Sequence, residues 1–255
     1  MPLIIAADNL NILNPPVAKA LDALDPRPLQ ELARRVEQAG ANLIDINPGF
    51  LPPRRHDRMA FMVEAVQQVT NLPLILDSPD ARVLARGLAV AHKPPILNAC
   101  TLEAGKIREI LPLAATHKIA LVLLLLDAHS RPGTSLEGKI TLALELREHA
   151  LAAGLTDARL IFDPVLPNLT WPDAWSQTGE VVKTVRLLSG GELWGEPART
   201  MAGVSNLRSG LRDTYPLRVE EAALGVLAGA GLSLALVDVL QPGLMETVRV
   251  INQLR

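Results

Sequence analysis

The sequence predicts a single α/β domain with the (β/α)8 TIM-barrel fold, spanning residues 1–255. Eight short, almost continuously apolar segments alternate with amphipathic segments, which is the pattern of parallel strands covered by helices. The length of 255 residues suits such a barrel, which takes about 250 residues. No linker, low-complexity tract or shift of composition divides the chain. An open, doubly wound sheet is the alternative fold, and the count of eight strands favours the barrel.

Eight apolar segments are the candidate strands, and polar loop residues follow each of them. They are Leu3–Ala6, Leu43–Ile46, Leu74–Leu76, Pro95–Leu97, Ala120–Leu126, Leu160–Phe162, Met201–Val204 and Leu234–Val237. Several segments between them carry apolar residues at helical spacing, which predicts helices that bury one face. These candidate helices are Pro28–Ala39, Arg58–Thr70, Leu136–Ala153 and Val219–Ala228.

The same local pattern closes three of the helices. QAGANLIDI, AAGLTDARLIFD and GAGLSLALVD each end a helical segment at Ala-Gly and begin an apolar strand a few residues later. Glycine takes the left-handed conformation after a helix C-terminus without the steric cost of a Cβ atom. We therefore expect Gly40, Gly154 and Gly231 to end helices in that conformation.

The composition excludes several classes of protein. Apolar residues make up 49% of the chain and charged residues 20%, so the chain can bury a full core and is not disordered. The net charge of −2 provides no strongly basic field for nucleic acid. The one cysteine, Cys100, allows neither an internal disulfide nor a cysteine-rich metal site.

No segment predicts export or membrane insertion. The N-terminal sequence MPLIIAADNLN lacks the basic region of a signal peptide. The apolar run Ile119–Leu126 is far shorter than the roughly 20 residues of a membrane helix. The longer run Ala222–Val237 contains three glycines and is interpreted as a helix end followed by a strand. We expect a cytoplasmic protein without membrane contact.

Asp, Asn and Ser side chains cluster where the candidate strands end. In strand order they are Asp8, Asn9 and Asn11; Asp45 and Asn47; Asp77 and Ser78; Asn98; Asp127; Asp163; Ser205 and Asn206; and Asp238. Each alone is typical of a turn or a helix N-cap, and for Asp8, Asp127 and Asp238 that interpretation is favoured. A barrel, however, brings all eight carboxyl ends to one mouth, where enzymes of this fold carry their chemistry.

Such a mouth suits a flat ligand with several N–H donors. A carboxylate can accept two parallel hydrogen bonds from the amino group and ring N–H of a 2-amino-4-oxo pterin. An asparagine amide both donates and accepts, so it can pair with a mixed edge. Other aminated heterocycles fit equally, and these residues therefore define a class of ligand only.

Five motifs occur in an order and spacing that resemble a known family. They are DPRPLQELARRVEQAGANLIDINPG, LPLILDSPD, ILNACTLEAGK, LIFDPVLP and MAGVSNLRSGL. They resemble the pterin-binding (β/α)8 methyltransferases, which include methyltetrahydrofolate:corrinoid/iron–sulfur protein methyltransferases and the folate module of cobalamin-dependent methionine synthase. The resemblance implies a methyl transfer between N5 of methyltetrahydrofolate and the cobalt of a corrinoid on a partner corrinoid-binding protein. It also implies a homodimer. The single cysteine and the scattered histidines lack the thiolate and imidazole ligands of a zinc-dependent methyltransferase, so we expect no metal bound by this chain.

The resemblance assigns roles to the matching residues. Asp77, Asn98 and Asp163 would hold the pterin edge, and the amide of Asn206 would reach N5. The local alternatives are that the two aspartates are helix N-caps and the two asparagines are turn formers. Asn206 and Asp77 would be the catalytic pair, since Asn206 donates a hydrogen bond to N5 and Asp77 belongs to the network that carries a proton from water.

The wall beside N5 belongs to the same motif. Gly203 and Ser205 would shape it. Two groups of arginines are expected near the mouth, where they would meet a folate tail or the corrinoid partner, or form an ordinary solvated rim. They are Arg54, Arg55, Arg58, Arg208 and Arg212.

The chain departs from the family at three places, and two alternative functions stay open. AADNLN replaces the usual Gly-Glu-Arg-Ile-Asn, Ala99 replaces a serine, and Leu207–Arg208 replaces Val-Ser. A non-catalytic pterin- or folate-binding protein is one alternative. A dihydropteroate synthase-like enzyme is the other, although GVSNLRS and LVDVLQP lack the lysine and Arg-x-His motifs of that relative.

Overall fold

Eight parallel strands close into a barrel in the computed structural model, which describes residues 2–255. Met1, the first residue of the predicted domain, lies outside the described residues. The strands are β1 (Ile4–Asn11), β2 (Leu43–Asn47), β3 (Leu74–Asp77), β4 (Ile96–Cys100), β5 (Ala120–Leu124), β6 (Leu160–Asp163), β7 (Arg199–Gly203) and β8 (Leu234–Val237). Each strand pairs with the next, and β8 pairs with β1. The predicted TIM barrel is confirmed and the open sheet is excluded.

Nine helices of residues 2–255 surround the barrel. They are α1 (Pro15–Ala23), α2 (Arg27–Ala39), α3 (Asp57–Gln67), α4 (Ala81–Val90), α5 (Ala104–His117), α6 (Leu136–Ala152), α7 (Ala174–Gly190), α8 (Arg218–Gly229) and α9 (Leu244–Leu254). The four predicted helices correspond to α2, α3, α6 and α8. The expected helix ends are confirmed as well, since Gly40, Gly154 and Gly231 have φ of 101°, 92° and 107°.

One layer of apolar side chains fills the inside of the barrel, with one residue from every strand. The layer consists of Ala6, Leu43, Ile75, Ala99, Val122, Ile161, Met201 and Leu234. Side chains alternate along a strand, so a residue two positions further on points to the same side. Asp8, Asp45, Asp77, Asp163 and Gly203 stand two positions beyond members of this layer. The acidic residues thus form the next inward layer, at the carboxyl end of the barrel.

This layer explains why the observed strands differ from the apolar segments. β1 continues to Asn11 and β4 to Cys100, so Asp8, Asn9 and Asn98 lie within strands rather than in the loops that follow them. β5, by contrast, ends at Leu124, two residues before the apolar run does. Polar positions interrupt the apolar pattern, and the register shifts there, between Ala7 and Leu10 in the pairing of β1 with β2 and between Leu97 and Cys100 in that of β4 with β5, before the pairing resumes.

The two long apolar runs belong to the core. Ala120–Leu124 forms β5, and the run from Ala222 is divided between α8 and β8. Among residues 2–255, no helix is long and apolar enough to cross a membrane. Cys100 is a free, buried thiol at the end of β4, and burial raises its pKa to about 12.

Candidate active site

The side chains at the ends of β2, β3 and β4 form a carboxylate–amide cluster. Asn47 donates from Nδ2 to Oδ2 of Asp77 at 2.8 Å. Asn98 stands opposite Asp77 in the register of β3 and β4. Burial raises the pKa of Asp77 to about 7, and the nearby charge of Asp163 adds to this, while the amides of Asn47 and Asn98 offset part of the shift. Asp77 therefore changes protonation close to neutral pH. It is not a helix N-cap, since Asp80 caps α4.

Asp163 completes this cluster from β6. It is 5% exposed, and its Oδ1 accepts a hydrogen bond from the backbone N–H of Val165 at 2.8 Å. Burial raises the pKa of Asp163 to about 6, although Lys139 draws it down. The bond to Val165 is that of a turn former, but α7 begins only at Ala174, so Asp163 does not cap a helix. The structure thus brings Asp77, Asn98 and Asp163 together.

Lys139 lies behind Asp163 and was not predicted. It is 1% exposed, and its Nζ donates to the carbonyl oxygen of Pro164 at 2.7 Å. Burial lowers the pKa of Lys139 to about 8, while Asp163 and Glu180 favour its charged form. Lys139 belongs to the buried face of α6 together with Leu142 and Leu146. A lysine within an apolar helical stripe was the sequence signal that could have revealed it.

The end of β7 carries the second group of predicted residues. Ser205 and Asn206 lie in a short 3-10 helix, Val204–Arg208, and Asn206 is exposed. Ser205 Oγ donates a hydrogen bond to the carboxylate of Asp8. A Cβ atom at position 203 would stand 2.8 Å from Nδ2 of Asn206. Gly203 therefore leaves the space in which the Asn206 amide lies against the strand end.

Contacts from two sides hold this turn in place. Asn168, which follows β6, donates from Nδ2 to the carbonyl oxygens of Asn206 and Ser209 at 3.0 and 2.9 Å. Arg208 is 3% exposed and forms an ion pair with Oε1 of buried Glu220 at 2.9 Å. The expectation that Arg208 faces a ligand or partner at the rim is therefore wrong. Its guanidinium anchors the turn to α8 instead.

The remaining arginines near the mouth are not buried in this way. Arg54 is exposed, and Arg55 and Arg58 pair with Asp22 and Asp57. The fifth arginine, Arg212, is also exposed.

Side chains at the end of β8 form hydrogen bonds with side chains at the end of β1. Asn9 donates from Nδ2 to Asp238, and Arg212 pairs with the same carboxylate at 3.0 Å. Asp238 also accepts from the backbone N–H of Leu240, which is the expected turn contact. Asp8 departs from its expected role, because it faces Ser205 inside the mouth and burial raises its pKa to about 6. The bond between Asp8 and Ser205 joins residues 197 positions apart, so no local pattern could reveal it.

Asp127 keeps the role expected of it. Its carboxylate accepts hydrogen bonds from the backbone N–H groups of His129 and Arg131 at 2.8 and 2.9 Å. It is a turn former outside the cluster. Asp45, by contrast, is 1% exposed and neither of its carboxylate oxygens has a hydrogen-bond partner within residues 2–255. Burial and the charges of Asp77 and Asp8 raise the pKa of Asp45 well above its ordinary value.

A cavity of about 750 Å³ opens at the ends of β1, β7 and β8. Asp8, Ser205, Asn206 and Asp238 line it, together with residues of α2. Asp77, Asn98 and Asp163 are not among its lining residues, so the predicted site falls into two neighbouring groups at one mouth. Within residues 2–255, no three His, Cys, Asp or Glu side chains are grouped as metal ligands would be.

Comparison with known proteins identifies a sequence family that the chain matches and a relative that it resembles. Residues 10–236 match the sequence family described as "Pterin binding enzyme". A methylcorrinoid:tetrahydrofolate methyltransferase of Eubacterium limosum is 31% identical over 170 residues, which cover 66% of this chain and 62% of that protein. The matched region thus spans less than two thirds of the relative's length.

Solved structures share the fold at low sequence identity. The 7,8-dihydropteroate synthase of Vibrio fischeri ES114 has a TM-score of 0.71 at 19% identity, over 99% of this chain and 93% of that one. A dihydropteroate synthase of Coxiella burnetii in complex with pteroic acid has a TM-score of 0.72 at 16% identity, with the same coverage. At these identities the likeness establishes the barrel and nothing about the reaction.

Proposed function

The chain belongs to the family of pterin-binding enzymes, and on that premise we propose that it is a tetrahydrofolate-dependent corrinoid protein methyltransferase. It moves a methyl group between N5 of methyltetrahydrofolate and the cobalt of a corrinoid, such as cobalamin, carried by a partner protein. The observation that carries the proposal is that an exposed amide, Asn206, and the carboxylate–amide cluster lie at the same mouth of the barrel. The name of the Eubacterium limosum relative supports the same reaction.

Asp77, Asn98 and Asp163 bind the pterin edge in this proposal. The carboxylate of Asp163 accepts hydrogen bonds from the 2-amino group and the adjacent ring N–H, in a bidentate pairing. Burial raises the pKa of Asp163 to about 6 and that of Asp77 to about 7. Hydrogen bonds to a carboxylate favour its charged form, so a bound pterin stabilises the ionised acid that recognises it. Gly203 and Ser205 form the wall beside N5.

The reaction requires that N5 gain positive character. The methyl group of a neutral tertiary amine is a poor electrophile, because its leaving group would be a strongly basic amide anion. Asn206 donates a hydrogen bond to N5 as the electron pair of the breaking methyl–N5 bond moves onto that nitrogen, which stabilises the transition state. An amide supplies no proton, whereas Asp77 has a pKa of about 7 and can take up or release one near neutral pH. The corrinoid supplies the cobalt(I) nucleophile that takes the methyl group.

The corrinoid reaches the site on a separate protein. A corrinoid is too large to enter a barrel mouth that already holds a pterin, so a corrinoid-binding partner docks over the carboxyl ends of the strands. A homodimer of this chain is a further prediction, and a measurement of molecular mass in solution tests it. A cytoplasmic location likewise remains a prediction, tested by fractionation of the producing cells.

The test combines the purified chain, methyltetrahydrofolate and chemically reduced cobalamin without oxygen, followed by visible absorbance. We expect cobalt(I) absorbance to convert to that of methylcobalamin at a rate proportional to protein. Asp163→Ala abolishes this rate, whereas Asp127→Ala, at a strand-end turn outside the cluster, retains it. Asn206→Ala lowers the rate by about 10²-fold, the effect of removing one placed donor. It changes folate affinity by less than about threefold, since the contact strengthens in the transition state.

The other outcomes separate the alternatives. Equal losses of rate and affinity in Asn206→Ala make Asn206 a binding residue only. Folate binding by calorimetry without methyl transfer favours a non-catalytic pterin-binding protein, or an enzyme that accepts only protein-bound corrinoid. Condensation of a pterin pyrophosphate with p-aminobenzoate identifies a dihydropteroate synthase-like enzyme. Neither transfer nor binding overturns the proposed function.

A further inference from the structure

Asp8 and Ser205 form a carboxylate–hydroxyl dyad at the mouth of the barrel, between β1 and the turn after β7. Ser205 Oγ donates its hydrogen to the carboxylate of Asp8, and no other side chain of residues 2–255 forms a hydrogen bond with that carboxylate. A hydroxyl has one hydrogen and two lone pairs, so the lone pairs of Ser205 Oγ remain for a ligand. The dyad therefore offers a bound ligand a hydrogen-bond acceptor whose own hydrogen is directed at a carboxylate.

An irregularity in β1 places Asp8 at the mouth. The pairing of β1 with β2 shifts register between Ala7 and Leu10, so Asp8 and Asn9 lie in the irregular segment. Such bulges re-aim side chains, and here both residues line the cavity of about 750 Å³. The segment AADNLN, in which the sequence departs from the family pattern, thus forms this part of the mouth.

The amide of Asn206 borders the same cavity as the dyad. The lining contains Asp8, Ser205 and Asn206, whereas Asp77 is not part of it. Ser205 directly precedes Asn206 in the turn that the contacts described above hold in place. A group that reaches the Asn206 amide from the cavity therefore also comes close to the hydroxyl of the dyad.

Two other carboxylates line the cavity, and both have cationic partners. Asp238 pairs with Arg212 at 3.0 Å. Glu31 is exposed on α2 and lies 3.8 Å from Arg34. Asp8, by contrast, forms no ion pair within residues 2–255, and its partner is a hydroxyl that can pass a proton on. Among the carboxylates of the lining, Asp8 is thus the one connected to the cavity through a proton-carrying group.

The surroundings of Asp8 allow it to exchange a proton near neutral pH. Burial raises the pKa of Asp8 to about 6, and the hydrogen bond from Ser205 offsets part of this rise. The charged and titratable groups that act on Asp8 or line its cavity come from β2, α2, the end of β8 and the region of α8. They are Asp45, Glu31, Arg35, Asp238, Arg212 and Glu220. An acid with a pKa near the working pH is suited to taking up and releasing a proton.

We propose that this dyad carries the proton of N5 during methyl transfer, with Ser205 as the group that contacts N5–H and Asp8 as the residue that acts through Ser205. The inference deepens the proposed function and rests on it, because it takes the position of N5 from the contact with Asn206. It assigns the proton of N5 to Asp8, and Asp77 remains a residue of the pterin edge.

The relay is balanced in atoms and charge. In transfer to tetrahydrofolate, the lone pair of N5 forms the new bond to the methyl group, and the electron pair of the methyl–cobalt bond stays with cobalt. N5, now positive, gives its hydrogen to Ser205 Oγ, whose own hydrogen passes to the carboxylate of Asp8. The products are neutral methyltetrahydrofolate, cobalt(I) and protonated Asp8, which returns its proton to water. In the opposite direction the same steps protonate N5 before the methyl group leaves.

The test compares rate constants as a function of pH. The whole chain, saturated with tetrahydrofolate, is mixed with methylcobalamin without oxygen, and the loss of methylcobalamin absorbance is followed from pH 5 to 8. We expect Asp8→Asn to lower the rate constant about 10²-fold at pH 8, the effect of losing a general base. The ratio of wild type to variant falls to about tenfold at pH 5, because Asp8, with a pKa of about 6, is then largely protonated in the wild type.

Ser205→Ala tests the second member of the dyad. We expect it to lower the rate constant about as much as Asp8→Asn, with a ratio to wild type that again falls toward pH 5. The double variant lowers the rate constant no further, because the two residues act in one path. Losses that multiply in the double variant overturn the inference. If Asp8→Asn does not fold, the pH dependence of the Ser205→Ala ratio decides in its place.

Asp238→Asn is the matched control, since it makes the same substitution in the same cavity at a carboxylate bonded to Asn9 and Arg212 instead of Ser205. We expect it to keep the pH dependence, with the midpoint moved to lower pH, because the charge of Asp238 raises the pKa of Asp8. A ratio for Asp8→Asn that is the same at every pH overturns the inference and leaves Asp8 with a structural role.

The outcome for Asp77 separates the inference from the proposed function. If the pH dependence persists in Asp8→Asn and disappears in Asp77→Asn, Asp77 carries the proton and the dyad does not, while the methyl transfer itself stands. A wild-type chain that transfers no methyl group at any pH refutes the proposed reaction, and the relay with it.

Discussion

Replacement of Lys139 by methionine tests how the charge of Asp163 is controlled. Methionine is close to lysine in length and keeps the apolar contacts of α6, but it removes the bond of 2.7 Å to the carbonyl oxygen of Pro164. It also removes the positive charge that lowers the pKa of Asp163. Glu180 is the other charged group that acts on Lys139. In the variant, burial still raises the pKa of Asp163, but no nearby cation lowers it.

The expected effect on ligand binding follows from the pKa. Loss of a nearby opposite charge raises a carboxyl pKa by about one unit or more. With Lys139 the pKa of Asp163 is about 6. A rise of about one unit lowers the ionised fraction at pH 6 from about one half to about one tenth. Pterin affinity then falls about fivefold at pH 6. At pH 8 it falls by less than about twofold, because the carboxyl of Asp163 is ionised in both the wild type and the variant.

The variant should still fold. Burial lowers the pKa of Lys139 from 10.5 to about 8, so the charged amine costs the native state about 3 kcal/mol at neutral pH. Methionine removes that cost but leaves the carbonyl of Pro164 without its donor, a loss of about 1–3 kcal/mol. The two effects oppose each other, and we expect the free energy of unfolding to change by no more than about 2 kcal/mol.

The assay measures 6-methyltetrahydropterin affinity from pH 5 to 8.5 by calorimetry. We expect the acid limb of the binding profile to move up by about one pH unit in Lys139→Met. Lys183→Met is the control, because Lys183 is exposed and pairs at 2.7 Å with Glu180, the same carboxylate whose charge acts on Lys139. An acid limb that does not move, or a loss of affinity that is equal at every pH, would refute the reasoning.

Two further substitutions test the ends of β7 and β3. Gly203→Ala keeps a backbone with φ of −80°, which alanine adopts freely, but places a Cβ atom 2.8 Å from Nδ2 of Asn206. We expect Gly203→Ala to lower the single-turnover transfer rate about tenfold, because the Asn206 amide is displaced, and to change the unfolding free energy by less than about 1 kcal/mol. An unchanged transfer rate contradicts this prediction. Asp77→Asn removes a carboxyl whose pKa rises from 3.8 to about 7 on folding, so wild-type stability falls as pH rises through that range. In urea unfolding at pH 8, we expect the variant to be more stable than the wild type by at most about 4 kcal/mol, and we expect this gain to disappear near pH 4. A difference in stability that does not depend on pH counts against this prediction.

Much of the fold was predictable because its signals are local. Eight apolar segments and the Ala-Gly helix ends identified the barrel, and all three glycines have the left-handed conformation expected of them. Strand ends were less accurate where a polar residue occupies an inward position. β1 extends through Asp8 to Asn11 because backbone pairing with β2 resumes at Leu10 and Asn11 after a shift of register at Asp8 and Asn9.

The site was predictable in composition and only partly in arrangement. The strand-end positions of Asp77, Asn98 and Asp163 placed them at one mouth, and the structure brings them together. The burial of Arg208 against Glu220 reversed its expected role, since an arginine in a loop sequence gives no sign of a buried partner on the next helix.

The amino-acid sequence by itself determined the order of strands and helices, since periodicity and turn residues act over a few positions. It also determined which acids and amides reach the mouth, because that depends only on where each strand ends. Tertiary structure alone decided which of them meet and what charge they carry. The pKa values depend on burial and on contacts between distant segments, such as Asp8 with Ser205 and Lys139 with the loop after β6.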